Sequence, residues 1–564
     1  MCDFTNTFRA FFQSSFRVSG LIAAFAFLIC LFAAQSAQAQ LTLTVTRTDD
    51  RNATCDSGVD CSLREAVNAA NAAVTSDTIN FAIPAGSAGC TSGVCTITLT
   101  LGEFVVNDGP TAGALTITNS TGASNLLISG NNTSRVFFLV SGANLTISGA
   151  TITKGNGTGT TSSGFNVGGG GILNNGTLTL TNSIVSGNMT SNSGGGIYND
   201  GGTTTLTNST VSGNTATNGR GGGIYNLNGT TTLTNSTVSG NTSGNGGGIL
   251  NQSGTLTLTG STVSGNTSGN SGGGILNLDG TSTLTNSTVS GNTATSGGGG
   301  IVNDSFDAIA ILNLTSVTVT GNSSTETTCT FCAGGISNFG GIANLKNTIV
   351  ALNTAANASA PPDFGGDIAA GSSFNLIGNG TGTTGISNGD ADSNQVGTAA
   401  SPIDPKLAPL ANNGGATQTH ALLFGSPAID KGNSFGLTTD QRGFTRPVNN
   451  FTIPNATGGD GADIGAFEVQ LAPTVATVSV GGRVMTASGR GIRNVVIRLT
   501  DSEGNLRTAI SNSFGYYRFN DVAAGATYIL TATGKRFSFS QPSQVLNIND
   551  ETDGVNFIGS PVNR

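Results

Sequence analysis

Two aspartates in the middle of the chain have a spacing that acid-base chemistry could use. Asp279 and Asp304 follow Ile275 and Ile301 at nearly the same offset. If those isoleucines occupy equivalent positions on adjacent parallel strands, the two carboxylates lie about 5 Å apart. That separation suits a retaining glycoside hydrolase. The pattern also fits two solvated turn residues, and this simpler interpretation is our prediction.

The single histidine of the chain, His420, is the only imidazole that a Ser-His-Asp site could use. It stands beside the apolar run Ala421-Leu-Leu423. This setting favours a packed or hydrogen-bonded histidine over a general base.

One short segment imitates the start of a calcium-binding loop. It reads Asp390-Ala-Asp392-Ser-Asn394, but Gln395 replaces the required glycine and no glutamate closes the loop. The sequence therefore predicts no catalytic, cofactor-binding or metal-binding residue.

Few ionisable groups accompany these candidates. A polysaccharide lyase needs acidic residues for calcium and a basic proton acceptor. Between Gly168 and Asn353 the ionisable residues are Asp200, Arg220, Asp279, Asp304, Asp307, Glu326 and Lys346. The chain has no Trp to stack on sugars, although Tyr198 and Tyr225 would stack on adjacent strands. We predict that the chain is not an enzyme. The alternatives are a carbohydrate-active β-helix enzyme (polysaccharide lyase or hydrolase) and a carbohydrate-binding module.

A repeat of about 26 residues must position these side chains. The phrase GGGI followed by Leu, Tyr or Val and Asn recurs between Gly168 and Asn353, and a second phrase, STVSGN or a close variant, keeps the same period. Fixed self-similarity over 20 to 50 residues is typical of a solenoid, whose units bury their apolar faces against their neighbours.

The composition of each unit indicates which solenoid this is. Each unit contains three short segments of alternating residues between Gly and Asn turns, with no helical spacing. A parallel β-helix would stack like residues in interior files. We expect files of Leu (180, 206, 233, 258, 284), Val (185, 211, 238, 263, 289) and the repeat isoleucines. The repeated asparagines would form amide ladders, and Thr and Ser would cover the outside.

These phrases resemble the polymorphic outer-membrane-protein repeats, whose GGA-Ile and FxxN signatures are matched here by GGGI and, without the Phe, by SGN. The resemblance implies a β-helix at a cell surface.

The N-terminal residues 1–39 have the features of a secretory signal. Arg9 and Arg17 precede the apolar run Leu21–Ala34, and Ala37-Gln-Ala39 forms a cleavage site. An uncleaved membrane anchor is the alternative. Export agrees with the six cysteines that follow, which form three close pairs: 55 and 61, 90 and 95, 329 and 332. Local disulfides are the expectation and a metal site the alternative.

One helix is predicted, beginning after Cys61. Ser62 and Glu65 form a capping box, and Leu63, Ala66, Val67, Ala70 and Val74 make one apolar stripe. We expect this helix to cover the N-terminal end of the β-helix. The motif Cys61-Ser-Leu-Arg-Glu-Ala66 resembles the CSLREA domain, which introduces large bacterial surface proteins with β-helical repeats.

Beyond Asn353 the period decays. Residues 354–472 contain Leu407-Ala-Pro-Leu410, Ser426-Pro-Ala-Ile-Asp430, Thr439-Asp-Gln-Arg-Gly443 and Ala462-Asp-Ile-Gly-Ala-Phe-Glu468. This ordered set resembles the choice-of-anchor Q domain, which implies a C-terminal cap for the β-helix.

The last segment, residues 473–564, begins a new pattern. Alternating strands are joined by Gly, Asp and Asn turns, which is typical of a small β-sandwich. Gly481-Gly-Arg-Val484 and Phe514-Gly-Tyr-Tyr-Arg-Phe519 resemble the carboxypeptidase regulatory-like domain, and the resemblance implies a transthyretin-like accessory module.

The predicted fold class is all-β: a right-handed parallel β-helix (a pectate-lyase-like solenoid) with an N-terminal capping helix and a C-terminal transthyretin-like β-sandwich. The predicted domains are a signal peptide (1–39), an N-terminal cap with irregular coils (40–155), regular repeats (156–353), a C-terminal cap (354–472) and the sandwich (473–564).

The predicted function is that of an exported bacterial stalk or adhesin-like rod. It would be extracellular or at the outer cell surface, with the periplasm as the fallback location. We expect no cofactor and no transmembrane segment after signal cleavage. Surface glycans or other cells are the expected partners, and the net charge of −8 disfavours nucleic acid.

Overall fold

A computed structural model of the protein describes residues 40–73, 75–107, 113–159, 168–470, 477–501 and 504–562. The predicted signal segment and Val74, the last residue of the predicted helix stripe, lie outside the described residues. The chain divides into two compact units between Val469 and Gln470.

The first unit is a parallel β-helix, which confirms the predicted fold class. Over the described residues its strands form three sheets. The Ile–Asn sheet contains eleven strands: Phe104–Val106, Phe137–Leu139, Ile172–Asn174, Ile197–Asp200, Ile224–Leu227, Ile249–Gln252, Ile275–Leu278, Ile301–Asp304, Ile336–Phe339, Phe364–Asp367 and Thr383–Thr384.

The large sheet receives two strands from each regular coil. Its 22 described strands are Thr42–Val45, Asp77–Phe81, Cys90–Thr91, Val94–Thr98, Leu115–Thr118, Leu126–Ser129, Asn144–Ser148, Thr151–Thr153, Thr177–Thr181, Ile184–Ser186, Thr203–Thr207, Thr210–Ser212, Thr230–Thr234, Thr237–Ser239, Thr255–Thr259, Thr262–Ser264, Thr281–Ser290, Ile311–Thr320, Ile342–Lys346, Ile349–Ala351, Leu376–Ile377 and Gln395–Val396. The short sheet contains Met189–Thr190, Thr215–Arg220, Thr242–Asn245, Thr267–Ser268, Thr293–Ala294, Ser323–Ser324 and Thr354–Ala355.

The register places like residues above one another, as the repeat requires. Ile197 pairs with Ile224, and Ile224 with Ile249; Leu206 pairs with Leu233 in the same way. The predicted Leu, Val and Ile files are all buried in one continuous core. Each such side chain contributes roughly 1.5–3 kcal/mol when it leaves water, so the stacked files account for the cohesion of the coils.

Two amide ladders run through this core, as predicted. On the first, Nδ2 of each asparagine donates to Oδ1 of the next at 2.7–2.8 Å, through Asn174, Asn199, Asn226, Asn251, Asn277, Asn303 and Asn338. The second passes through Asn188, Asn214, Asn241, Asn266, Asn292, Asn322 and Asn353 at 2.9–3.0 Å. The rungs satisfy buried amides that would otherwise each cost about 1–3 kcal/mol.

Thr and Ser are predicted on the outside, and some of them also lie in the interior. Thr204, Thr231 and Ser282 are buried and hydrogen-bond to asparagines of the first ladder. A further file of buried serines lies at the corner between the two large-sheet strands, where each backbone N–H binds the next serine's Oγ (183, 209, 236, 261, 287). The small hydroxyl groups fit where the chain turns and the backbone needs partners.

The predicted helix is present and spans Leu63–Ala72. Its capping box is formed as expected, with Glu65 N–H donating to Ser62 Oγ and Ser62 N–H donating to a Glu65 carboxylate oxygen. Leu63 and Val67 are buried in the same core as the first large-sheet strands. A short 3₁₀ helix, Ala123–Asn125, follows later.

The three predicted cysteine pairs are bonded as Cys55–Cys61, Cys90–Cys95 and Cys329–Cys332. Among the described residues, no helix is both long and apolar enough to cross a membrane.

Residues 404–469, the flank segment, run back along the side of the β-helix. Thr417 Oγ1 donates to the Gly260 carbonyl, Asn286 Nδ2 to the Thr439 carbonyl, and Asn347 Nδ2 to the Asp463 carbonyl. The segment thus bonds to successive coils at the corner of the large sheet. The assignment of residues 354–472 to a C-terminal cap stays a prediction.

The second unit is a two-sheet β-sandwich. One sheet contains Tyr516–Ala523, Thr477–Met485, Phe557–Pro561 and Phe537–Phe539; the other contains Leu506–Ile510, Val496–Thr500, Ala526–Thr533 and Ser543–Ile548. Its own core includes Val480, Ile497, Leu530 and Phe557.

Candidate functional site

Asp279 and Asp304 lie on adjacent coils at the end of the Ile–Asn sheet. Leu278 is the register partner of Asp304, and the N–H of Asp279 donates to the Asp304 carbonyl at 2.9 Å. Asp279 has a φ of 55°, a left-handed conformation that Asp tolerates better than most residues. The structure therefore brings the two predicted candidates together.

The two carboxyl groups have opposite electrostatic environments. Asp279 Oδ1 accepts the N–H groups of Phe306, Asp307 and Ala308 at 2.7–3.0 Å. Burial opposes ionisation of Asp279, but these three donors outweigh it and lower the pKa. Burial and then the charge of Asp279 raise the pKa of Asp304. A carboxylate beside a carboxyl group that retains its proton to higher pH is the arrangement of an acid-base pair.

Asp279 also has a structural task that the sequence did not reveal. Its three backbone contacts fix residues 305–310 as a loop, and that loop exposes Phe306 and Ile309 with 81% and 64% of their surfaces accessible. Large apolar side chains exposed together mark candidate contact surfaces. The prediction of two solvated turn residues therefore describes neither carboxyl group fully.

Tyr198 and Tyr225 stack as predicted, with ring centroids 4.9 Å apart. Tyr225 is buried, and its hydroxyl donates to Gln252 Oε1, which also accepts from Arg220. The outward file continues with Leu250, Leu276 and Val302, which form a small apolar cluster with the tyrosines. The rings pack against each other and the cluster, so they stabilise this face and do not form a sugar-stacking platform.

The Asp390 carboxylate forms hydrogen bonds within its own loop. The Asp390 carboxylate accepts the N–H groups of Ser387, Asp392 and Asn394. These hydrogen bonds close the loop that contains Asp390. Burial raises the pKa of Asp390, but the hydrogen bonds outweigh burial, so the pKa is lowered. Over the part of the chain that the structure describes, no three His, Cys, Asp or Glu side chains cluster as metal ligands would.

His420 binds the flank segment to the β-helix. Its Nε2 lies 2.8 Å from Ser290 Oγ, and its Nδ1 lies 2.7 Å from the Ala408 carbonyl. Because a carbonyl only accepts, Nδ1 carries the proton and Nε2 accepts the Ser290 hydroxyl. Burial lowers the pKa of His420 although the Ala408 carbonyl raises it. Ser290 is buried, so this pair holds two surfaces together and is closed to a substrate.

The flank segment contains a buried charge cluster that was not predicted from the sequence. Arg446 Nε lies 2.8 Å from Glu468 Oε2 with both side chains fully buried, and the Asp463 N–H donates to the same oxygen. Burial and then the charge of Glu468 raise the pKa of Asp463 to about 8. Asp463 and Glu468 both belong to the Ala462–Glu468 motif, and this motif is the sequence feature that could have indicated the cluster. The cluster is enclosed and has no access for substrate.

Residues 479–558 match the carboxypeptidase regulatory-like domain family. The match lies within the β-sandwich and confirms that part of the predicted resemblance. No curated protein matches the chain.

One similar solved structure is the crystal structure of pectate lyase Pel9A. The likeness covers 77% of this chain and 98% of that chain, at 15% sequence identity and a TM-score of 0.38. At this level it concerns the fold alone. The prediction that the chain is not an enzyme is wrong as it stands, because the sequence does not establish the absence of an activity and the similar structure is that of a pectate lyase. The likeness assigns neither an activity nor its absence to this chain.

Proposed function

We propose that the protein is exported and acts outside the cell, at the outer surface or released from it, as a β-helical stalk with an adhesin-like role. The observation that carries the proposal is the bonding of all six described cysteines in three local disulfides. Disulfides persist in oxidising compartments and are rare in the cytosol.

The internal packing and hydrogen bonding of the β-helix support a role as a stalk. Identical side chains stack in its core, and its two amide ladders bond each regular coil to the next. In such a repeat every coil is stabilised by its contacts with the neighbouring coils through the same files. The CSLREA-type and choice-of-anchor Q resemblances, and glycans or other cells as partners, belong to the same proposal.

The export part is tested by expressing the full chain with its own residues 1–39 in a bacterial host. Intact cells are treated with protease and fractions are probed for the protein, while a thiol-alkylating reagent reports the cysteines. We expect a protease-accessible or released protein whose six later cysteines are blocked to alkylation until reduced. A protein that stays in the cytosol with free thiols would contradict export.

The adhesin-like role is tested on the exposed loop of residues 305–310. Purified protein is bound to cells and to a glycan array, and Phe306→Ser/Ile309→Ser is compared with Phe331→Ser, which changes an exposed Phe elsewhere. We expect binding to fall about tenfold in the double variant alone, because exposed apolar side chains supply most contact energy. Equal binding by all three proteins would remove this loop from the proposal.

A second candidate is a carbohydrate-active β-helix. It is favoured by the geometry of Asp279 and Asp304, which lie on adjacent coils with the Asp279 N–H bonded to the Asp304 carbonyl, and the pKa values of the two carboxyl groups shift in opposite directions. The full chain is screened on pectin, alginate and related polymers. Cleavage that Asp304→Asn abolishes, and that the exposed control Asp307→Asn retains, would support this candidate. Cleavage unaffected by Asp304→Asn would exclude this pair as the catalytic site.

A further inference from the structure

The β-sandwich contains an open groove of about 1460 Å³ that is lined by basic residues. Its lining includes Arg483, Arg490, Arg493, Lys535 and Arg536 and no Asp or Glu. The whole segment 473–564 has nine basic and six acidic residues. The groove therefore collects five of the nine basic residues, and its described lining contains no acidic residue.

Three separate stretches of chain bring these cations together. A tight turn holds Arg490, because Thr486 N–H donates to the Arg490 carbonyl at 2.8 Å. The Ile492 N–H donates to the Val484 carbonyl and places Arg493 beside the strand of Arg483. The Val562 N–H donates to the Arg536 carbonyl, which fixes Lys535 and Arg536 at the other wall. The cluster is thus a product of the fold and not of one basic run.

Among the described residues of the β-sandwich, none of these five cations forms an ion pair with an acid. Arg490, Arg493, Lys535 and Arg536 are all exposed. Like charges held close together without counter-ions raise the local potential and attract anions.

Aromatic rings accompany the charges. Phe514 lines the groove with 69% of its surface exposed, and Phe537 is half-buried in the wall. Arg483 is held in place, because its Nε donates to the Phe514 carbonyl at 2.9 Å and its guanidinium lies 5.1 Å from the Tyr516 ring centroid. The site therefore offers apolar faces beside oriented guanidinium groups.

We propose that this groove binds an anionic polysaccharide whose sugar units carry carboxylates. Four of the five cations are arginines, whose planar guanidinium groups bind carboxylates through two parallel hydrogen bonds. Exposed rings pack against the C–H faces of sugars, and an open groove accommodates a chain of units. Nucleic acid is the competing polyanion, and the titration with single-stranded DNA described below distinguishes it from a carboxylated polysaccharide.

This inference goes beyond the proposed function and does not depend on it. Export concerns where the protein resides, whereas the groove is tested with purified protein in solution. Failure of either experiment leaves the other unaffected.

The experiment titrates the purified full chain with polygalacturonate by calorimetry at two salt concentrations. Neutral dextran, dextran sulfate and single-stranded DNA are titrated in parallel. We expect polygalacturonate to bind, to weaken as salt rises, and to bind more tightly than the three other polymers. Equal or tighter binding of DNA or dextran sulfate would overturn the proposal, because the groove would then be unselective for carboxylates.

Two double variants distinguish binding by the groove from attraction by the net charge of the module. Arg490→Gln/Arg493→Gln removes two groove cations, and Arg498→Gln/Arg507→Gln removes two exposed arginines of the same module that do not line it. We expect the first to weaken polygalacturonate binding about tenfold and the second less than about twofold. Equal losses would assign the attraction to overall charge and overturn the groove. Circular dichroism of both variants verifies that the module is folded.

Discussion

Asn353 donates from Nδ2 to Oδ1 of Asp363 at 2.9 Å, so the second amide ladder ends on a carboxylate. The same oxygen accepts the backbone N–H of Asn353, and Asp363 Oδ2 accepts the N–H of Asn379. Burial raises the pKa of Asp363 against the effect of these donors. A row of amides that all point one way needs an acceptor at its end, and Asp363 supplies it where the repeat no longer provides an asparagine.

An internal rung of this ladder is expected to be essential. Asn241→Ala leaves the Asn214 amide, the Val211 carbonyl and the Asn266 Oδ1 short of partners they now have. We expect the free energy of unfolding to fall by about 3 kcal/mol, measured by urea denaturation. Asn218→Ala, at an exposed position one coil away, should change it by less than about 0.5 kcal/mol. Similar losses in both variants would contradict the role of the ladder.

Alkaline pH is expected to loosen the flank segment around Asp463. Because the folded pKa is raised to about 8 from 3.8, the folded state holds this proton more tightly than the unfolded state does. The resulting stability is fully present below pH 3.8 and is lost as the pH rises through about 8. Hydrogen exchange of peptides covering 428–468 should therefore be faster at pH 9 than at pH 6, after correction for intrinsic rates.

The matched variants for this effect are Asp463→Asn and Asp307→Asn. The first removes the titrating group and should flatten the dependence between pH 6 and 9, whereas the second alters an exposed carboxylate and should leave it intact. A dependence that persists in Asp463→Asn would assign the effect to another group.

Acid is expected to act on a different part of the same segment, through His420. Its folded pKa is lowered from 6.5, so the neutral imidazole is favoured in the fold. This stability is present above pH 6.5 and is lost as the pH falls through the lower, folded pKa. Exchange of peptides covering 405–425 should increase as the pH falls below 6.5 and through the lower, folded pKa.

Two substitutions isolate the imidazole. His420→Gln cannot titrate and should remove the acid response, whereas Ser290→Ala removes a partner but keeps the imidazole and should retain the response. If His420→Gln still opens in acid, the response arises from other groups.

The loop of residues 305–310 is expected to depend on one carboxylate. Asp279→Ala deletes the acceptor of three backbone N–H groups, and the loop should then be cleaved by proteases at Phe306 at least about tenfold faster. Asp307→Ala is the control, because it changes a side chain on the loop itself and keeps the backbone N–H that Asp279 binds. Unchanged cleavage in Asp279→Ala would mean that the loop is fixed by other contacts.

The repeat alone determined the β-helix. A period of about 26 residues with Leu, Val, Ile and Asn at fixed offsets has one economical packing, in which each residue meets its counterpart on the next coil, and the register of Ile197 on Ile224 follows from it. The capping box at Ser62 could also be predicted from the sequence, because it is formed by residues three apart. Local spacing is sufficient for such features, since their partners are set by the chain itself.

Only the tertiary structure decided the sites. The contact between Ser290 and His420 joins residues 130 apart, and the bond of Asn347 to Asp463 joins residues 116 apart; no period relates these positions. The basic groove likewise assembles arginines from three stretches of the sandwich. Buried charges, pKa shifts and grooves depend on which non-repeating segments pack together, and that is set by the whole fold and not by spacing along the chain.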